Sequence, residues 1–265
     1  MSRSYDSPND SLGNSGPTGK VGQPPPNLQR RVLEFQSAVL RWSKSKGNRF
    51  FWRRQGVGAF SILIVETLLT RTRANAVAPV ASELLDRFPH PQKLARAKQK
   101  EVERILYPIG LHRKRAAQLL ACAKQISSSP MSGIPRELDA LMQLPSVGRY
   151  VANAVLCFGF NQRRAVLDCN VARIYERVFS IPRPSQRLSA AHRLWRFAES
   201  VIPIRRTKQF NWAVLDLGRE ICTVRQPACD KCPVSQLCDY YNETVSKGLE
   251  RGTRFRSPRE SVNQS

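Results

Sequence analysis

The chain has 265 residues, 41% of them apolar, and its 43 Lys and Arg against 20 Asp and Glu give a formal charge of +23. This length holds one or two ordinary domains with a sizeable core, while apolar runs such as AFSILIV from Ala59 are too short to span a bilayer. The polar N-terminus has no basic-then-apolar export pattern, so a cytoplasmic protein is expected, neither secreted nor membrane-bound.

Residues 1–27 are Pro, Gly and Ser-rich text with little to bury, which reads as a disordered head. From Leu28 to Ser43, LQRRVLEFQSAVLRWS places apolar residues at helical spacing. The text beyond keeps helical periods, with starts expected near Ala59, Ala76, Pro91, Lys100, Lys114, Glu137, Arg149, Cys169, Ala190, Asn211 and Pro233. Residues 247–265 read as a disordered basic tail. There is no run of alternating strands and no nucleotide-type glycine loop, so the fold class is all-α. The head contributes no net charge and the tail +3, which leaves +20 on the part that folds. A folded basic body is the footprint of a polyphosphate partner, with nucleic acid first. An anionic membrane is the lesser reading, because no basic amphipathic helix with an aromatic face stands out.

In SILIVETLLTRT, Ile62, Val65, Glu66 and Leu69 share one face of a helix that is apolar nearly all round. A carboxylate buried there needs a reason: a structural ion pair with an Arg, or a group of raised pKa that handles a proton or a water. Two later segments share a shape, VERILYPIGLHRKRAAQLLACAKQI and ELDALMQLPSVGRYVANAVLCF: helix, short turn with Pro or Gly, second helix opening on basic residues. In the second, Leu144 and Pro145 end one helix, Val147 and Gly148 turn, and Arg149 starts the next. Backbone N–H groups at such a helix start can hold a phosphate without reading sequence; an ordinary helical hairpin is the alternative. Tyr150 is either an aromatic packing the hairpin or a ring and hydroxyl offered to a ligand. Asp168 reads as the N-cap of CNVARIYERVF, a place where a carboxylate also suits positive charge developing on a substrate.

There are seven cysteines, and the odd count without an export signal argues against a disulfide framework. Cys122, Cys157 and Cys169 sit in apolar helical text and read as core residues. Cys222, Cys229, Cys232 and Cys238 crowd together with gaps of six, two and five residues. One short pair and no nearby His suit a [4Fe–4S] cluster better than zinc, and Arg225 in the first gap would face a phosphate.

Taken together, LPSVGRYVANAVL, VLDCNVARIYERV, NWAVLDLGREIC and the 6-2-5 cysteine spacing resemble the helix-hairpin-helix DNA glycosylases of the endonuclease III and MutY superfamily, from Leu28 to Tyr241. The resemblance implies a six-helix barrel domain over 56–162 that carries the hairpin. It also implies an iron–sulfur cluster domain from 28–55 and 163–241, with double-stranded DNA held between the two. It makes the four cysteines ligands of a [4Fe–4S] cluster, Asp168 the essential aspartate, and Glu66 the acid found in adenine and mismatch thymine glycosylases. Position 150 separates the subfamilies: lysine in endonuclease III-type enzymes, commonly serine in MutY, tyrosine in the thymine/uracil mismatch enzymes and here. Thr70, Arg71 and Thr72 would enter the duplex where the base leaves. Leu144, Val147, Gly148, Arg149 and Arg225 would contact the DNA backbone. Ser146 departs from the family's usual Gly. The expected activity is that of a monomeric, monofunctional glycosylase removing mispaired thymine or uracil opposite guanine, without strand cleavage. The rivals are an adenine glycosylase acting on A:G or A:8-oxoguanine pairs, and a non-catalytic DNA-binding protein in which Asp168 only caps its helix.

Overall fold

The computed structural model describes residues 26–46, 50–129, 133–182 and 188–250, and every regular element among them is helical. The first helix, α1 (Pro26–Ser43), buries Val32, Phe35 and Val39 along one stripe. Phe35 meets the rings of Tyr175, Phe179 and Phe210 edge-on, with centroids 5.3–6.3 Å apart. Burying one such ring contributes about 2–3 kcal/mol. These contacts fasten α1 to α9 (Cys169–Phe179) and α11 (Thr207–Glu220), Gln36 donates to the Val201 carbonyl of α10 (His192–Val201) at 2.8 Å, and together the four helices enclose one of two cores.

The other core runs from Phe50 to Phe158, with Val166 added. It is built from α2 (Ala59–Leu69), α3 (Ala74–Arg87), α4 (Pro91–Ala95), α5 (Gln99–Leu106), α6 (His112–Ser128), α7 (Leu138–Met142) and α8 (Arg149–Ala154), which loosens into a π-turn over Val155–Gly159. Helix α2 is the hub: Phe60, Ile62 through Glu66, and Leu68 are all buried. Its start lies so close to the π-turn that a Cβ on Gly159 would sit 2.7 Å from the Ala59 Cα. The chain then crosses between the cores as extended backbone. Val166 is buried in the α2 core while Ala165 and Leu167 are buried in the other, and Asp168 follows.

Several expectations shift. Pro26 and Asn27 are already helical, so the expected head overlaps α1, and the rest of it, 1–25, lies outside the described residues. Phe50 and Trp52 bury into the α2 core, although the sequence division grouped 28–55 with the second core. No helix starts at Pro233: the cysteine loop forms short 3-10 turns, and α12 (Asp239–Glu250) begins later, because the loop backbone wraps round its cysteines instead. Helix α12 overlaps the start of the expected tail, and 251–265 lie outside the described residues. No described helix is long and apolar enough to cross a membrane.

Candidate active site

A cleft of about 620 Å³ opens between the two cores, with Glu66, Tyr150 and Asp168 all in its lining. Three distant stretches of sequence converge there. Glu66 is 2% exposed at the core of α2, and its Oε2 accepts a 2.8 Å hydrogen bond from the Tyr150 hydroxyl. Burial pushes the Glu66 carboxyl up to about 7, against the downward pull of the Tyr150 bond and the Arg53 charge. The same burial, with Glu66 beside it, raises the Tyr150 phenol well above its usual range, so it stays a donor. Of the sequence alternatives for Glu66, an ion pair is not what is found: its bonded partner is a phenol, and Arg53 binds Asp216 instead.

Asp168 caps α9. Its Oδ1 accepts from the Asn170 and Val171 N–H groups at 2.9 and 2.8 Å, and its Oδ2 from Asn170 Nδ2 at 2.8 Å. Behind it, Arg173 donates to Asn170 Oδ1 at 3.0 Å, to the Gly218 carbonyl at 2.8 Å and to the Cys222 carbonyl at 2.8 Å. A Cβ on Gly218 would meet the Asn170 Cβ at 2.8 Å, so glycine is what lets α11 press against the cap. Ahead of it, the buried Asn211 accepts from the Val166 N–H at 2.9 Å and donates to the Arg164 carbonyl at 3.0 Å. Sequence reading singled out none of Asn170, Arg173 or Asn211. Their one advance signal is amide or guanidinium text amid apolar helix.

The far wall is aromatic and cationic. Phe50 stacks on Trp52 with centroids 4.5 Å apart. Arg53 grips both oxygens of Asp216 at 2.6 and 2.9 Å, and Arg219 adds a third bond at 2.7 Å. Both members of the Arg53–Asp216 pair are about nine-tenths buried, which fixes the cation beside Glu66.

At the mouth, Thr70 and Arg71 are exposed and Thr72 half-buried, with Arg71 in left-handed backbone at φ +61°. The buried Arg115 on α6 holds this turn through the carbonyls of Leu68 at 2.9 Å and Thr70 at 3.2 Å and the Thr72 hydroxyl at 2.7 Å. Just before the same helix, its N-cap Leu111 is 65% exposed and also left-handed, at φ +52°. The sequence reading passed over both Arg115 and Leu111.

The hairpin residues divide. Leu144 and Val147 bury their side chains in the α2 core, and the Val147 N–H bonds the Leu144 carbonyl. Ser146 takes φ +65°, the left-handed region where glycine is at ease. Gly148 is exposed, and nothing lies within 4 Å of where its Cβ would be. The N–H groups that open α8 there have no intrahelical acceptor. Arg149 is drawn inward: its guanidinium lies 4.4 Å from the Trp195 ring centroid, and Nε is buried without a partner. Cys169 is exposed in the cleft lining and is no core residue, since as the first residue of α9 it points off the helix's buried face.

Cys222, Cys229, Cys232 and Cys238 line one partly open void together with Ile174, Val178, Leu217 and Tyr241. Burial raises three of the thiols, Cys232 to about 12, and the neighbouring sulfurs push the same way. Arg177 donates to Cys222 Sγ at 3.3 Å and to the Thr223 and Val224 carbonyls at 2.7 and 3.0 Å, pinning the loop rim. No three His, Cys, Asp or Glu side chains among the described residues are placed to hold a single metal ion. Four thiols round one apolar space are a donor set that a [4Fe–4S] cluster takes. Arg225 is exposed on this loop.

Residues 64–199 match the HhH-GPD superfamily of base excision DNA repair proteins. A thymine-DNA glycosylase of Aeropyrum pernix is 34% identical, covering 80% of this chain and 96% of its own. An adenine DNA glycosylase of Mycolicibacterium smegmatis is also 34% identical, over 74% of this chain and 66% of its own. The solved structure of a thermostable thymine-DNA glycosylase superposes with a TM-score of 0.76 at 29% identity, covering 82% of this chain and 99% of that one. The chain belongs to the HhH-GPD superfamily.

Proposed function

We propose that this protein is a monofunctional DNA N-glycosylase of base excision repair that hydrolyses the glycosidic bond of thymine or uracil mispaired with guanine. The observation that carries the reading is the 2.8 Å Tyr150–Glu66 hydrogen bond in a cleft that Asp168 also lines. Flipping the base into the cleft sets it against Tyr150 and Glu66, with Asp168 facing the sugar. As the bond to C1′ breaks, the base leaves with the electron pair and takes a proton from the Glu66 carboxyl. Asp168 stabilises the positive sugar, and water adds at C1′ while giving up a proton to the Asp168 carboxylate. The sulfur-lined void is the seat of a [4Fe–4S] cluster on Cys222, Cys229, Cys232 and Cys238, which would supply a rigid scaffold for the loop that carries Arg225 to a phosphate. The α2–α8 body is the barrel domain and the remainder the cluster domain, divided before Phe50. Arg71, Thr72 and Leu111 meet the duplex where the base left, and the α8 backbone at Gly148 and Arg149 meets its phosphates.

Labelled duplexes carrying G:T, G:U, A:G, A:8-oxoguanine and thymine glycol, each assayed with and without alkali, test this. Release from G:T and G:U, with strand breaks only after alkali, is expected. A phenol forms no Schiff base, so borohydride should trap nothing on wild type. Preferred release of adenine, which Glu66 could also serve by donating to a ring nitrogen, replaces the substrate assignment. Efficient trapping removes the monofunctional one.

A further inference from the structure

Beyond the base cleft, a second cleft of about 790 Å³ lies where the end of α3 meets α4 and α5. Its cations are Arg87, Lys93, Arg96, Lys98, Lys100 and Arg104, all exposed, against one lining carboxylate, Glu101. That carboxylate is already bonded to Arg87 at 2.6 Å, and the nearby Glu103 accepts from Gln99 at 2.8 Å. Spacing does the rest: Lys93 lies on α4 and Arg96 caps its end, and Lys100 and Arg104 are four apart on α5, so two cationic edges line one hollow. The protein's other arginines are widely committed to structure. Arg31, Arg53, Arg115, Arg173 and Arg177 all bond carbonyls or carboxylates within the fold. A surface holding five such cations beside the paired Arg87 raises its own electrostatic cost, which a bound polyanion relieves.

We propose that this cleft is a second grip for the phosphate backbone of duplex DNA, engaging the flank of the duplex away from the extruded base. The inference rests on the reading of DNA as substrate given above. Helix α3 sets the spacing. It runs from Ala74 in the base cleft to Arg87 in the basic one, 14 residues. That is about 20 Å at 1.5 Å per residue, or on the order of six base pairs. No base readout is implied, because lysines and arginines at a concave rim meet phosphates as point charges.

The test measures binding of duplexes of about 10 and about 40 base pairs, each with a central uncleavable abasic analogue opposite guanine to fix the register, so that the short one ends before the second cleft; salt is varied, and the full chain is compared with its Lys93→Gln/Arg96→Gln/Lys100→Gln/Arg104→Gln variant. On the long duplex the variant's slope of log affinity against log salt should fall by about 2–3, roughly 0.9 per phosphate lost. On the short duplex the two proteins should match within about twofold, and single-turnover base release from a G:T mispair centred in a duplex of that short length should be unchanged. Phosphate-ethylation interference should show flanking phosphates for wild type and not for the variant. Equal loss on both lengths would place these residues at the base cleft or in bulk attraction and overturn the proposal, as would no loss on either. Tight binding of polyglutamate that the long duplex fails to displace would reassign the cleft to an acidic protein segment. Failure of the glycosylase reading would show instead as no base release on any duplex, which these binding slopes do not depend on.

Discussion

The α5–α6 and α7–α8 hairpins both enter their second helix beside a left-handed non-glycine residue, Leu111 at φ +52° and Ser146 at φ +65°. What they show to solvent is opposite. The α7–α8 turn hides its apolar shoulders, Leu144 and Val147, and shows solvent Ser146 and the backbone at Gly148, while Tyr150 on the next turn reaches inward to Glu66. The α5–α6 turn leaves Tyr107 70% and Leu111 65% exposed, and of the basic residues that follow it turns Arg115 inward, buried and bonded to the mouth of the cleft, while Arg113 and Lys114 stay exposed. One hairpin thus brings chemistry into the cleft, and the other holds the rim that a duplex meets. Similar sequence shapes carry different work because the third partner differs, the glutamate on α2 for one and the 68–72 turn for the other.

Mutations should separate the two roles. The largest effect belongs to the chemical side. Asp168→Asn keeps the shape of the cap and removes the charge, so single-turnover base release should fall on the order of a thousandfold with DNA affinity retained. Wild-type rates in that variant would make Asp168 a cap alone. On the rim side, Arg115→Met removes three hydrogen bonds and should cost about 3 kcal/mol of stability, lowering Tm by several degrees. A variant as stable as wild type would mean the rim is held by something else.

Glu66 offers a pH handle on the chemical hairpin. Its carboxyl is raised from 4.5 to about 7, so the folded state holds this proton more tightly than the unfolded chain does. Stability from this group is full below pH 4.5 and is lost as pH rises through about 7. Glu66→Gln should therefore flatten the fall in Tm between those limits, with an upper bound near 1.4 kcal/mol per pKa unit. Base release by wild type should decline above pH 7 as the donor proton is lost; a decline below pH 7 instead would make Glu66 a base acting on water. Leu111→Ala, by contrast, should leave Tm alone and lower release from a mispair about tenfold, if the exposed side chain supports a flipped state that costs a few kcal/mol. The smallest expected effect is Ser146→Gly: relief of a left-handed residue should gain no more than about 1 kcal/mol. A loss would show that the serine hydroxyl works in the turn.

Local signals carried the reading a long way. Helix starts at Ala59, Pro91, Arg149 and Cys169 stand where periodicity and capping placed them, because each depends on residues within one turn. Glu66 stood out as a charge in apolar helix, Asp168 as a cap, and the four cysteines by their gaps. The same local logic failed at Pro233, where loop wrapping overrode helix propensity, and at Cys169, whose apolar neighbours face away from it. Arg149 looked like a free cation and lies on Trp195, a ring contributed by the other core.

By itself, then, the sequence determined an all-helical body, an excess of positive charge on it, a turn shaped for a helix start and a set of thiols at cluster spacing. The tertiary structure alone decided which charges are free and which are bound. Arg53 meets Asp216 across 163 residues, Arg173 meets the Cys222 carbonyl across 49, and Arg115 meets Thr72 across 43. Such bonds leave no period in the text, since a guanidinium needs only one well-placed acceptor, and where that acceptor lies is set by how the helices pack.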